Sequence, residues 1–425
     1  MTEILERKKT ARLHRAWIVA GIGFVTLIGA AGFRSVPSVL LDPLHDEFGW
    51  SHATIGSAVS INLMLYGLIS PFAAALMDKL GIRKVVGGAL VLVAAGSGLT
   101  VFMTSSWQLL LCWGLLVGVG TGAMSMTFVA TVTTRWFFAR RGLVTGILTA
   151  AGATGQLVFL PLIAKLAGDY GWRLPALLVA GIALSVVPLV LIFMRDYPSD
   201  VGLRAYGAPE GSTVGLRVAA VGNSAVRALV ALKSAARTRT FWFLAGGFAI
   251  CGASTNGLVG THFVTAAHDH GMPHTTAASL LALVGIFDIA GTVASGWLTD
   301  RWDPRYLLIG YYTLRGASLL VLPSLFSEHV EPSMWVFIIF YGLDWIATVP
   351  PTVALCRQWF GADGPIVFGW VFASHQVGAA VAATGAGAIR DAFGTYNLAW
   401  YLAGGLCAFA ALMSWRIRPL PQPVP

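Results

Sequence analysis

Apolar runs of roughly 20 residues, each closed by a short polar or charged loop, recur from Trp17 almost to the end of the chain. A run of that length crosses a bilayer core as a helix. The runs are continuous and rich in Leu, Ala and Gly rather than alternating, so helices are expected and barrel strands are not. Twelve spans are predicted. Six lie at 17–41, 53–78, 84–104, 107–134, 141–167 and 172–195, and six at 239–267, 274–300, 305–326, 332–357, 364–390 and 396–415. The first is too long for a signal-peptide core and lacks a small-residue cleavage site near its end, so it reads as a retained helix. Between the sixth and seventh lies a polar, basic stretch rich in Gly, Ser and Ala, 196–238. It reads as a plain cytoplasmic linker, with an amphipathic helix on the inner leaflet over 214–236 as the alternative. The expected fold class is an all-α membrane protein of twelve transmembrane helices in two six-helix halves, 1–195 and 239–425.

Composition agrees. Of 425 residues, 56% are hydrophobic and 11% charged, against about 25% charged in an average soluble domain. The net charge of +9 does not indicate nucleic acid, because the basic residues sit in short loops rather than on one face. Instead they orient the chain. Of the 28 Lys and Arg, 23 fall in the N-terminal tail, the loops after even-numbered spans, the linker and the C-terminal tail. Only Lys165, Arg173 and Arg390 fall on the other side. Both termini are therefore expected to be cytoplasmic. The four cysteines all lie inside apolar runs, without metal-ligand spacing, and read as small buried hydrophobes. No cofactor is implied.

Two near-copies of one loop motif stand 222 residues apart: Asp78-Lys79-Leu80-Gly81-Ile82-Arg83-Lys84 after the second span and Asp300-Arg301-Trp302-Asp303-Pro304-Arg305 after the eighth. Further echoes follow at an offset of 223. Arg135-Trp136-Phe137 answers Gln358-Trp359-Phe360, and Gly146 and Gly155 answer Gly369 and Gly378. A duplicated six-helix unit is one known transporter plan, with the substrate between the halves at mid-membrane. Asp78 can face the N-terminus of a neighbouring helix and nearby Arg side chains. Asp78, Arg83, Asp300 and Arg301 are accordingly read as latch residues that hold one arrangement of the halves.

The paired loops resemble the signature loops of the major facilitator superfamily, with Ala74 where that family usually has Gly. A narrower resemblance is to its monocarboxylate transporter branch and the bacterial oxalate/formate-antiporter-like relatives. Trp136-Phe137-Phe138-Ala139-Arg140-Arg141-Gly142-Leu143-Val144-Thr145-Gly146 and Pro43-Leu44-His45-Asp46-Glu47-Phe48-Gly49-Trp50-Ser51 carry it. The resemblance implies alternating access around a central cavity lined in part by the first helix, where related transporters place a Lys near the position of Arg34. It also implies an Asp close after a Phe in the eighth span, followed four residues later by a substrate-binding Arg. Here Phe287 directly precedes Asp288, and Thr292 stands where the Arg is expected.

Ionisable groups at membrane depth are costly and default to functional hypotheses. Arg34 is the first candidate for an anion, because a guanidinium grips a carboxylate with two hydrogen bonds. Arg315, in the ninth span, is expected to pair with Asp288 or Asp344 in a structural ion pair. The aspartate left over is the better proton site, so Asp288 and Asp344 are both proton-coupling candidates. His375, His262, Asn256, Gln156 and Tyr341 are candidate substrate contacts, with Asn62 and Tyr66 as weaker hydrogen-bonding positions. Pro350-Pro351 must break or bend the tenth span. The reading is a monomeric secondary transporter in a cell inner membrane, not an enzyme, moving a small organic anion coupled to protons. The lipid bilayer is its surrounding, and nucleic acid is no partner. An exporter of amphipathic drugs, suited by 15 Trp and 23 Phe, and a non-transporting nutrient sensor are the alternatives.

Overall fold

The computed structural model describes residues 14–217 and 222–418, without the side chains of 33–42, 52–53 and 160. Every regular element among them is helical. Arg15–Phe48 (α1), His52–Leu80 (α2), Ile82–Thr100 (α3), Ser106–Trp136 (α4), Arg141–Tyr170 (α5) and Arg173–Phe193 (α6) form the first part. Ser224–Ala235 (α7) follows, then Arg239–Asp269 (α8), His274–Thr299 (α9), Pro304–Val321 (α10), Pro332–Asp344 (α11), Val349–Phe360 (α12), Gly364–Phe393 (α13) and Asn397–Arg416 (α14). Ten stretches are long and apolar enough to cross a membrane. One of them, Pro332–Phe393, covers α11, α12 and α13 together, and α10 is not among the ten.

Local sequence explains the ends. Ser51 caps α2 by accepting the Thr54 amide at 3.2 Å, and Asp303 caps α10 by accepting that of Arg305 at 2.9 Å. The two motif loops turn differently. Gly81, at φ +92°, joins α2 to α3 alone, whereas 300–303 make the longer second turn. The expected break at Pro350-Pro351 is present. α11 ends at Asp344, a turn runs through 345–348, and the prolines sit in the first turn of α12, where a missing N–H costs nothing.

The described residues of 196–238 make specific contacts with the rest of the chain. Tyr206 exchanges backbone bonds with Trp136, Phe138 and Ala139, and its ring packs edge-on against Trp17. In α7, Ala228, Ala231 and Ala235 are buried against the protein while Val226, Leu229 and Val230 are exposed. A helix is thus present within 214–236, and small side chains let α7 sit close on its neighbours.

One apolar core is built only from residues 16–194 and another only from residues 258–407. A third joins Tyr66, Ala74, Ala75 and Ala130 to residues of α7, α8, α12 and α13. Two seams bring the two parts together. On one, α5 lies on α9. A Cβ at Gly146 would stand 2.5 Å from the Thr292 carbonyl, so only hydrogen fits. On the other, α2 lies on α13, where a Cβ at Gly369 would stand 2.6 Å from Pro71 Cα. Tyr66 meets Phe372 and Phe72 meets Trp370 along this seam. Both seams lie toward the end that carries Asp78 and Asp300. Toward the other end, Val158 and Leu162 on α5 and Val377 and Val381 on α13 are exposed.

At that other end Glu47 accepts both Arg173 guanidinium nitrogens, at 2.5 and 2.9 Å, and the Trp172 indole N–H at 2.6 Å. These hydrogen bonds, the Arg173 ones foremost, hold its carboxyl below the ordinary glutamate range. A depressed folded value gives stability that is full above the unfolded value, about pH 4.3, and is lost as pH falls through the folded value. The pair is half exposed and screened. Arg173→Gln is expected to cost less than about 1 kcal/mol at pH 7. Thermal unfolding of variant and parent should converge below about pH 4, and a gap that persists there would show a contribution other than charge.

Candidate functional site

The buried charges gather at the interruption between α11 and α12. Arg315 projects from α10, and its Nε donates to Asp344 Oδ2 at 2.6 Å. Its Nη2 donates to the carbonyls of Asp344 and Trp345 at 2.5 and 3.1 Å, and its Nη1 to Cys251 Sγ at 2.9 Å. Cys251 Sγ also lies 3.2 Å from Thr348 Oγ1. The guanidinium thus satisfies carbonyls that the broken helix leaves without intrahelical partners. Of the two expected partners, the structure selects Asp344.

Asp288 is left to uncharged donors. Its Oδ1 accepts the Thr292 hydroxyl at 2.8 Å and the Ile346 amide at 3.0 Å. Thr292 lies one turn along α9, where an i+4 side chain reaches back to its neighbour. It fills the expected arginine's place with a short hydroxyl, and Asp288 in turn caps the amide freed by the turn at 345–348. The aspartate is 1% exposed. Ser295 completes the bracing by donating to the Ala347 carbonyl at 2.5 Å. α9 therefore holds the interruption from one side and α10 from the other.

The remaining candidates are dispersed. His375 is packed between Phe248 and Phe372 on α13. His262 reaches the Ala383 carbonyl at 2.8 Å and the Tyr396 hydroxyl at 3.2 Å. Tyr341 is buried and donates to the Ser254 carbonyl at 2.8 Å. Asn256 lies in the π-helical stretch Ala253–Val259 of α8, and it and Gln156 are exposed. Asn62 donates to the Trp113 carbonyl at 2.8 Å. Arg34 falls in α1, but its side chain lies outside the described residues. The structure thus brings Asp288, Asp344 and Arg315 into one cluster, with Tyr341 beside it one turn before Asp344 on α11.

The latch residues divide. Asp300 accepts the backbone amides of Gly142 and Leu143, at 2.7 and 2.9 Å, at the N-terminus of α5. That is the contact expected for a carboxylate at a helix N-terminus, and it crosses the seam. Asp78 takes arginines instead: Arg135 Nη2 at 2.5 Å and Arg227 Nη1 at 2.7 Å. Arg83 donates its amide to Asp196 at 2.9 Å, beside α6, and Arg301 stacks on Trp297. Neither reaches across a seam in these contacts. Sequence reading missed Cys251 and the partners Arg227 and Asp363, since nothing in a polar, alanine-rich stretch marks one arginine over another.

Comparison with known proteins follows the same lines. The family model described as "Major Facilitator Superfamily" matches residues 22–352 and 250–425. The chain is 25% identical over 395 residues to the uncharacterized MFS-type transporter YcxA of Bacillus subtilis (strain 168), covering 88% of each protein. It is 29% identical over 360 residues to monocarboxylate transporter 13 of Rattus norvegicus, covering 83% of this chain and 77% of that one. Among solved structures, the proton:xylose symporter XylE has the same fold at a TM-score of 0.71, with 15% identity over 95% of this chain and 96% of that one. Helices of spanning length, their packing along two seams and these matches together make the protein a multi-pass membrane transporter, not an enzyme, and the chain belongs to the major facilitator superfamily.

Proposed function

We propose that the protein carries a small organic anion, a carboxylate, across a cell inner membrane together with protons, as a monomer. In this reading the chain spans twelve times with both termini cytoplasmic, and 1–195 and 239–425 rock against each other around a central site. The basic excess on the loop side supports the orientation. Closure of both seams on the side of Asp78 and Asp300 makes this arrangement the outward-facing one.

The observation that carries proton coupling is Asp288. It is a buried carboxyl that, among the described residues, accepts a hydroxyl and an amide, next to an Arg315–Asp344 pair that neutralises itself. A proton can join Asp288 without breaking an ion pair. Protonation weakens its grip on the Ile346 amide, so the charge state of one residue is communicated to the interruption between α11 and α12.

Carboxylate cargo is supported by the similarity to proteins named monocarboxylate transporters. Thr292 removes the cation expected beside Asp288, and Arg34 is assigned the role of holding the anion. Binding of mono-, di- and aromatic carboxylates to the purified protein, repeated with Arg34→Ala, tests this. The variant is expected to lose roughly tenfold or more in affinity, as when a charge-assisted hydrogen bond to a buried anion is removed. Equal binding of every carboxylate by both proteins would move the anion site elsewhere. In proteoliposomes, drug efflux without carboxylate uptake would favour the exporter.

A further inference from the structure

The two seams are repeat-related, yet their charged closures differ. Asp78 and Asp300 occupy equivalent positions 222 residues apart, and the N-termini of α5 and α13 are equivalent at 223. Asp300 accepts the amides of Gly142 and Leu143. The residues of α13 equivalent to these are Pro365 and Ile366. Proline has no amide hydrogen, so one of the two donors is missing on this seam. Asp363, at the cap position of α13, does not accept a hydrogen bond from that helix either. Both carboxylates turn to Arg227 of α7. Its Nη1 lies 2.7 Å from Asp78 and its Nη2 3.0 Å from Asp363.

α7 is held where this requires. The Trp370 indole of α13 donates to the Ala228 carbonyl at 3.0 Å, and Ala228 is fully buried. Burial would lower the Arg227 guanidinium, but the Asp78 and Asp363 carboxylates outweigh it and keep it above its ordinary value. One cation therefore joins α2 to the start of α13 through an element that belongs to neither.

We propose that Arg227 is a positioning residue of the transport cycle: it replaces the amide that Pro365 lacks, holds the α2–α13 seam shut while Asp78 and Asp363 share it, and releases one of them when that seam parts. The inference rests on the two parts rocking, and not on the identity of the cargo or on protons.

Its test reads seam opening directly in the full-length protein in membranes. Thr127 is fully buried and faces Gly369 across the seam, so a cysteine there becomes reactive only when the seam parts. The four native cysteines are buried and give the background. With a membrane-permeant maleimide, Arg227→Ala is expected to raise the labelling rate about fivefold, within the usual range of conformational coupling. Arg227→Lys, which keeps a cation, should retain most of the protection. Adding Pro365→Ala to Arg227→Ala should restore part of it by returning an amide to Asp78. Asp363→Asn, at a half-exposed site, should raise the rate to a lesser degree and stands in if Arg227→Ala does not fold. Labelling unchanged by both Arg227→Ala and Asp363→Asn, or equally fast in the Lys and Ala variants, would overturn the proposal.

Discussion

Asp288→Asn is expected to yield a folded protein whose uptake no longer follows an imposed pH gradient. Asparagine is close in shape, and its side-chain oxygen can still accept the Thr292 hydroxyl and the Ile346 amide that Asp288 holds. What it cannot do is gain or lose a proton. Gradient-driven uptake into proteoliposomes should fall by about tenfold or more, the equivalent of ~1.4 kcal/mol. Exchange of labelled for unlabelled cargo, which needs no net proton movement, should persist. Asp344→Asn is the control: it disturbs the ion pair with Arg315 and should lower the amount of folded protein. Full gradient response in Asp288→Asn would remove this carboxyl from the coupling step.

Arg315→Met is expected to be the most damaging single change to stability. The arginine is 1% exposed and bonds one carboxylate, two carbonyls and a thiol. Removing it strands Asp344 as a buried charge, a loss of about 3–5 kcal/mol. Arg315→Met combined with Asp344→Leu should recover much of that, because a buried pair replaced by apolar groups of similar volume is often neutral. The Trp345 carbonyl would lose its Arg315 donor, so recovery should be incomplete. Thermal unfolding in detergent, compared across parent, single and double variants, measures both steps. A double variant no more stable than the single would show that the pair is not what holds this corner together.

Much of the fold was legible because a bilayer imposes coarse rules. Span length and apolar runs are one-dimensional, so they can be read without knowledge of packing. The break near Pro350-Pro351 was legible for the same reason, as proline removes a donor wherever it stands. Asp288, Arg315 and Asp344 stood out as charges at membrane depth. Which aspartate takes Arg315 was not legible, since it depends on how α10 meets the end of α11. The helix α7 was legible only as the alternative over 214–236. Its inward face is alanine, which carries little apolar signal, and its exposed Val226, Leu229 and Val230 obscure the usual amphipathic pattern. Pro365 could have been noticed: the repeat offset sets it opposite Gly142, but its meaning depends on knowing that Asp300 needs that amide.

The glycine contacts carry a mechanical consequence. Gly146 meets Thr292 and Val293, and Gly369 meets Pro71, which the repeat places opposite Val293. These two close approaches are thus related points on either side of a pseudo-twofold axis. Two bodies touching at two such points retain one easy rotation, about the line through both, while sliding and twisting press backbone against backbone. These glycines would therefore act as paired bearings, and a methyl group on either one should tilt that line as well as wedge open the seam on which it sits.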